Sequence, residues 1–209
     1  MKRPPCVIGV ADHAGWAHMV CVAAPAGVPA VVARRRVTLI DAGLPTMPYH
    51  HESLAMPEDK ANALIARVRR SIAENASREL RRVVEDLSPT HPVVALAIRE
   101  LQFPDLPETV ATVRRSYQLQ CAADGMMYPL AVRHAARDLG LEVHVFRRGE
   151  ESARAAAQLR VRAGEVESFV NGTGRPPGPP WTQEHRRAFA AGIAILAARA
   201  DRQHRIQIT

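Results

Sequence analysis

The 209-residue sequence has few cysteines, few aromatic residues and almost no lysine. Its three cysteines form no CxxC pair, and so sparse a count argues against a disulfide framework. Aromatic residues make up 4% of the chain, which weakens the case for a surface that stacks single-stranded bases. No charge-free apolar run reaches about 18 residues, so the sequence predicts no transmembrane helix. Neither Gly-x-Ser-x-Gly nor HExxH occurs, so a nucleophile-elbow hydrolase and a zincin have no support.

The composition is that of a folded globular domain. Hydrophobic residues make up 47% and charged residues 23% of the chain, close to the average of soluble proteins. The length suits one domain with a full core, so we expect a single domain over residues 1–209, with its core at about 6–198 and a frayed polar tail at 201–209. The N-terminal residues lead into an apolar run at Cys6 without a secretory signal pattern. We therefore predict a cytoplasmic protein with reduced thiols.

The charge is basic and is carried by arginine. Lysine and arginine total 28 against 21 acidic residues, a formal net charge of +7, and Lys2 and Lys60 are the only lysines. Such a surplus favours polyanionic partners, because basic surface attracts phosphates and releases their counterions. Nucleic acid is therefore a candidate partner, although the arginine bias also fits a coding habit of the genome. The sequence leaves the oligomeric state open, a homodimer included, and indicates no membrane partner.

The first forty residues predict three strands. Apolar runs at 6–11, 17–24 and 29–40 are joined by connections short enough for hairpins, which indicates an antiparallel meander. The hydrophobic period then changes to three and four over 60–87, which predicts a long amphipathic helix with a solvated arginine face. The apolar run at 93–98 is typical of a strand buried on both faces.

The second half of the chain alternates helix and strand. We expect a helix from about 108 to 121 and another from Gly125 to Leu139, with Asp124 as its N-cap and Pro129 near its first turn. A strand at 141–146 and a helix at 151–162 follow. The remaining elements are a Pro/Gly-rich loop at 171–180 and a final helix with Thr182 as its N-cap.

This order of elements, together with the opening run Val7-Ile8-Gly9-Val10-Ala11-Asp12 and the following Gly15-Trp16, resembles the ribonuclease H-like superfamily. The resemblance covers roughly residues 6 to 198 and rests on element order more than on a diagnostic motif. It implies an α/β fold with a five-stranded mixed sheet of order 3-2-1-4-5 and helices on both faces.

The resemblance also implies a metal site. Ribonuclease H-like nucleases and Holliday-junction resolvases place acids in the first strand, at the end of the fourth strand and on the last helix, which here are Asp12, Glu100 and Glu184. The three acids would be catalytic residues of a nuclease, with Asp12 and Glu100 as ligands of Mg²⁺ or Mn²⁺, cations that prefer oxygen ligands. Two features depart from the family: the familiar Asp-x-Gly opening is absent, and the final helix holds no aspartate.

Topology gathers further polar residues at the same place. Strands that run in one direction end at one edge of the sheet, where ligands bind in open α/β folds, and the loop after strand three reaches this edge beside Asp12. Two adjacent imidazoles and a carboxylate in that loop could ligate a transition metal or supply a general base, and a hydrogen-bonded structural loop is as good an explanation. The candidate substrate-binding residues at this edge are His50, His51, Glu52 and Asp124.

The candidate residues also have ordinary structural explanations. Asp12 fits a turn, Glu100 a solvated strand end, and Glu184 a first helical turn, where the dipole favours acids. Cys121 becomes a nucleophile only with a positioned base, and Cys6 and Cys21 are expected in the core.

Three functional classes remain. They are a metal-dependent nuclease or resolvase-like enzyme, a non-catalytic ribonuclease H-like domain for binding or assembly, and a nucleotide-binding protein of the actin or sugar-kinase kind. The third is disfavoured because those proteins need two such domains, and 209 residues supply one.

Overall fold

A computed structural model describes residues 3–102, 105–172, 180–200 and 206–208 of the chain. Within these ranges five strands form one sheet in the predicted order β3-β2-β1-β4-β5. The strands are Cys6–His13 (β1), Trp16–Ala23 (β2), Ala30–Thr38 (β3), Val93–Arg99 (β4) and Glu142–Phe146 (β5).

The strand directions are also as predicted. β2 pairs antiparallel with both β1 and β3, whereas β1 pairs parallel with β4, and β4 with β5. The carboxyl ends of β1 and β4 therefore lie side by side, and this puts Asp12 next to Arg99 and Glu100. The edges of the sheet are β3, which carries the run Arg34–Arg36, and the five-residue strand β5.

Helices cover both faces of the sheet, as predicted. Ile8 and Val10 of β1 pack with the first three helices on one face, and Val7 packs with the last three on the other. No helix in the described part of the chain has both the length and the apolar composition needed to cross a membrane. The helices are Glu58–Leu87 (α1), Val110–Arg114 (α2), Tyr117–Asp138 (α3), Glu151–Leu159 (α4), Ala163–Asn171 (α5) and Gln183–Arg199 (α6).

The prediction that Asp124 is a helix N-cap is wrong. Helix α3 begins at Tyr117, where the Ser116 hydroxyl accepts a hydrogen bond from the Leu119 N–H, and it continues through Asp124 because the residues around Asp124 are buried. Pro129 accordingly lies in the middle of α3 and not in a first turn. The predicted helix over 108–121 is divided between α2 and α3.

Two further expectations change near the C-terminus. The helix predicted over 151–162 ends early, since Arg160 adopts a left-handed conformation with φ of 59°, and α5 follows. Residues 206–208 of the tail are not frayed. Ile206 is buried in the core on the sheet face that α6 covers, and the Gln207 N–H donates to the Gly27 carbonyl at 2.9 Å. Residues 201–205 of the tail and 173–179 of the predicted loop lie outside the described residues.

Helix α6 lies directly on β1 at Gly9. A Cβ atom at this position would lie 1.9 Å from the carbonyl oxygen of Ala188, so the contact requires the absence of a side chain. We predict that Gly9→Ala lowers the free energy of unfolding by about 3 kcal/mol, because helix and strand must move apart. Urea unfolding measures this loss. Gly164→Ala is the matched control, since a Cβ there meets nothing within 4 Å, and it should change stability little. An unchanged urea midpoint for Gly9→Ala would contradict the close contact.

Candidate functional site

Asp12 is held by Arg99 at the carboxyl end of the central strands. The side chain of Asp12 is 2% exposed, and the Nε of Arg99 donates to both carboxylate oxygens at 2.9 and 3.0 Å. The Nη2 of Arg99 adds a third hydrogen bond at 2.9 Å to Oδ2. A buried carboxylate needs such a partner, since an unpaired charge in a protein interior is strongly unfavourable.

The guanidinium of Arg99 is itself positioned by helix α3. Its Nη2 also donates to the carbonyl oxygen of Gly125 at 2.8 Å. In a regular helix the N–H of the residue four positions later, here Pro129, would bind this oxygen. Proline has no N–H, so the carbonyl of Gly125 is left available to Arg99. From the same helix, Arg133 donates to the backbone carbonyl of Arg99 at 2.5 Å.

Two clefts meet at Asp12. The narrower, which we call the α6 cleft, has a volume of about 30 Å³, and its charged lining includes Glu151, Glu184, Arg148 and Arg187. The wider, which we call the α3 cleft, has a volume of about 480 Å³. Its polar lining consists of Asp12, His13, Arg99, Glu100, Gln102, Cys121, Asp124, Tyr128 and Arg148.

The acids predicted to act together are separately paired. Glu100 lies on the α3 cleft, where its carboxylate is 3.2 Å from the Nε of Arg147. Glu184 lies on the α6 cleft, 3.7 Å from Arg187 of the same helix. Asp12 lines both clefts. Among the described residues, no group of three or more His, Cys, Asp and Glu side chains is arranged to hold a metal ion.

Asp124 anchors the histidine loop. Its two carboxylate oxygens accept hydrogen bonds from the backbone N–H groups of Tyr49 and His50, at 3.1 and 2.9 Å. Because Asp124 also lines the α3 cleft, the loop backbone is attached to the wall of the cleft that contains Asp12. Burial raises the pKa of Asp124 to about 6, although these two hydrogen bonds oppose the shift.

The histidines themselves make different contacts. His50 is half-buried with its Nδ1 3.7 Å from the sulfur of Cys121, and its ring stacks on His51. His51 and Glu52 are exposed, and Glu52 begins a short 3₁₀ helix. The idea that these three side chains bind substrate stays a prediction.

The start of the same loop is fixed to helix α1. Asp41 accepts hydrogen bonds from the Ser71 hydroxyl at 2.8 Å and from the Asn75 amide at 2.9 Å. These hydrogen bonds, with that of Asn75 first, lower the pKa of Asp41. Between Asp41 and Asp124 the loop is therefore attached at both ends, and this explains how a proline-bounded segment keeps a defined conformation.

No family model and no curated protein matches the sequence. Among solved structures, the chain is similar to Thermus thermophilus RuvC in complex with a Holliday junction substrate. The two sequences are 17% identical, the match covers 93% of this chain and 95% of that chain, and the TM-score is 0.52. The chain has a ribonuclease H-like fold. A second T. thermophilus RuvC structure matches at 16% identity, with the same coverage and a TM-score of 0.49. At this level of identity, the ribonuclease H-like fold is shared and an activity does not follow from it.

Arg99 is a site residue that the sequence analysis did not single out. It follows an apolar strand, where an arginine is ordinarily a solvated end, and its partner Asp12 is 87 positions away. One signal was present: Pro129 in a run of helix-forming residues marks a free carbonyl four residues earlier, and such a carbonyl needs a donor.

The raised pKa of Asp124 predicts a pH-dependent stability. The native state binds this proton more tightly than the unfolded chain, whose ordinary pKa is 3.8, so the stabilisation from protonated Asp124 is complete below about pH 4 and is lost as the pH rises through about 6. Relative to Asp124→Asn, which cannot titrate, the wild type should lose about 2 kcal/mol between pH 4 and pH 7. Urea unfolding of both proteins across this range isolates the contribution of Asp124. A difference that does not change with pH would contradict the shift.

Proposed function

We propose that this chain is a ribonuclease H-like nucleic-acid-binding domain in which Arg99 supplies the positive charge at Asp12 that a metal ion supplies in the nucleases the sequence resembles. The observation that carries this proposal is the set of three hydrogen bonds from Arg99 to the Asp12 carboxylate. A divalent cation would need the same oxygens, at about 2.0 to 2.6 Å, and would be repelled by the guanidinium.

The donor set does not fit a Mg²⁺ or Mn²⁺ site in this arrangement. Asp12 is bound to Arg99, and Glu100 is paired with Arg147. Glu184 faces Arg187 in a cleft to which Arg148 adds a further positive charge. A metal ion would have to displace several guanidinium groups before it found three free carboxylates.

Nucleic acid is the partner that the charge and the fold support. The chain has a formal net charge of +7. The two clefts at Asp12 carry Arg99, Arg148 and Arg187, and Arg147 lies beside them on Glu100. The structurally similar RuvC forms a complex with a Holliday junction substrate. We therefore propose that the carboxyl edge of the sheet binds the phosphates of branched or duplex DNA.

The second candidate is a nuclease or resolvase-like phosphodiester hydrolase that depends on Mg²⁺ or Mn²⁺. One observation favours it: Asp12 lines the α6 cleft together with Glu151 and Glu184, so acids from three elements of the fold reach one place. In this candidate Asp12, Glu100 and Glu184 are the catalytic residues, with Asp12 and Glu100 as metal ligands, and Arg99 must leave Asp12 before a cation binds.

The binding proposal predicts a local effect of charge removal. For a labelled four-way junction, the double variant Arg147→Ala/Arg148→Ala should bind more weakly and lower the slope of log K against log salt by about two. Fluorescence anisotropy at several salt concentrations measures both quantities. The matched control is Arg81→Ala/Arg82→Ala. These residues lie near the end of α1, which leads to the start of β4, the end of that strand away from the carboxyl edge. Equal losses in the two double variants would contradict binding at the carboxyl edge, and no binding by the wild type would overturn the proposal.

The two candidates differ in cleavage. We expect the wild type to leave branched, duplex and single-stranded DNA and an RNA:DNA hybrid uncut in Mg²⁺ or Mn²⁺, as do Asp12→Asn and Glu100→Gln. Gel assays of the three proteins, at concentrations where binding is measured in parallel, test this. Cleavage by the wild type that falls by orders of magnitude in Asp12→Asn would overturn the first proposal in favour of the nuclease.

A further inference from the structure

Cys121 differs from the other two cysteines in accessibility. Cys6 and Cys21 are fully buried in β1 and β2, whereas Cys121 is half-buried on α3 and lines the α3 cleft. All three are free thiols. A reagent in the cleft can therefore reach Cys121 while the other two stay protected.

The thiol of Cys121 has a positioned base. The Nδ1 of His50 lies 3.7 Å from its sulfur, within hydrogen-bonding range for a thiol. Three contacts fix the position of His50. Its backbone N–H donates to Asp124, its ring stacks on the ring of His51 at 4.4 Å between centroids, and the ring of Tyr117 packs edge-on against it at 4.8 Å. A base fixed in this way can take the thiol proton without first reorganising.

Tyr117 lies next to both members of this pair. Its ring packs edge-on against His50, and its interaction with Cys121 raises the pKa of the Tyr117 phenol.

The α3 cleft holds one arginine that is not paired with any acid the structure describes. Asp12 is neutralised by Arg99 and Glu100 by Arg147. Arg148 reaches the cleft with no hydrogen bond or ion pair among the described residues. His13 lines the same wall, and its Nε2 is buried without a hydrogen-bond partner in the described part of the chain. A cationic group that lacks a partner at the cleft suits an anionic ligand.

We propose that Cys121 and His50 form a nucleophilic pair that reacts with a small anionic electrophile, a carboxylate-bearing acyl or alkyl compound, bound in the α3 cleft beside Arg148. The thiol proton moves to the Nδ1 of His50. A sulfur lone pair then forms a bond to the electrophilic carbon, and the leaving group departs with its bonding electrons. The proton on His50 passes either to the leaving group or to solvent. This site does not depend on the proposed binding of nucleic acid.

Alkylation of the full-length chain tests the pair. Iodoacetamide is reacted from pH 5.5 to 9.5, and the adduct on each cysteine is quantified by peptide mass spectrometry. Cys6 and Cys21 should stay unmodified, and Cys121 should react faster at pH 7 than N-acetylcysteine. At the same pH, His50→Asn should slow the reaction by about tenfold.

His134→Asn is the matched control, since it removes an exposed imidazole of the same helix that does not line the α3 cleft, and it should leave the rate within about twofold. A wild-type rate at pH 7 no higher than that of N-acetylcysteine overturns the pair even if a variant fails to fold. Equal rates for wild type and a folded His50→Asn overturn it as well.

The anionic ligand class is tested with iodoacetate, which differs from iodoacetamide by its carboxylate. The ratio of the iodoacetate rate to the iodoacetamide rate should be several-fold higher for Cys121 than for N-acetylcysteine, and Arg148→Gln should remove the increase. A ratio no higher than that of N-acetylcysteine, or one that Arg148→Gln leaves unchanged, overturns the assignment of an anionic ligand.

Discussion

The contact between Asp12 and Arg99 holds the carboxyl edge of this sheet together. It joins the end of β1 to the end of β4, and through the carbonyl of Gly125 it joins both strands to helix α3. An unpaired carboxylate at this depth would be strongly unfavourable, because a buried charge needs a partner. Both clefts have Asp12 and Arg99 in their walls, so their shapes depend on this contact.

The geometry of the contact selects arginine. One guanidinium reaches two carboxylate oxygens and a backbone carbonyl at once, which requires several N–H groups in a fixed plane. Lysine carries a single ammonium group on a flexible chain and could not reproduce this pattern. Because Pro129 has no N–H, the carbonyl of Gly125 in helix α3 is free to accept a hydrogen bond from a side chain on the sheet.

The meander of the first three strands could be predicted from features that are local in sequence, whereas the full order 3-2-1-4-5 came from the resemblance to the ribonuclease H-like superfamily. Short connections forced the first three strands into a meander, and the change of period at residue 60 marked a helix that must cross to a parallel strand. The position of Asp12 at the carboxyl edge followed from the same order. Its partner did not, since an arginine after an apolar strand has the same sequence pattern whether it points to solvent or to a buried acid.

Asp124 shows a second limit of sequence patterns. An aspartate ahead of a glycine and a helical run fits an N-cap, but here Ser116 begins the helix and the carboxylate binds the backbone of a loop some 74 residues away. Long-range hydrogen bonds to a backbone leave no mark on hydrophobic periodicity. The same holds for His50 and Cys121, 71 positions apart, whose contact depends on that loop attachment.

The arginine run on β3 affects how separate copies of the chain meet. β3 is an edge strand, and such an edge exposes backbone groups that can pair with another molecule. Arg34 binds the Pro180 carbonyl, Arg35 forms an ion pair with Asp86, and Arg36 lies over the ring of Trp16, so positive charge covers both faces of the strand. A second copy that approached edge to edge would bring its own guanidinium groups against these. Like-charge repulsion therefore opposes edge-to-edge pairing of two copies through β3.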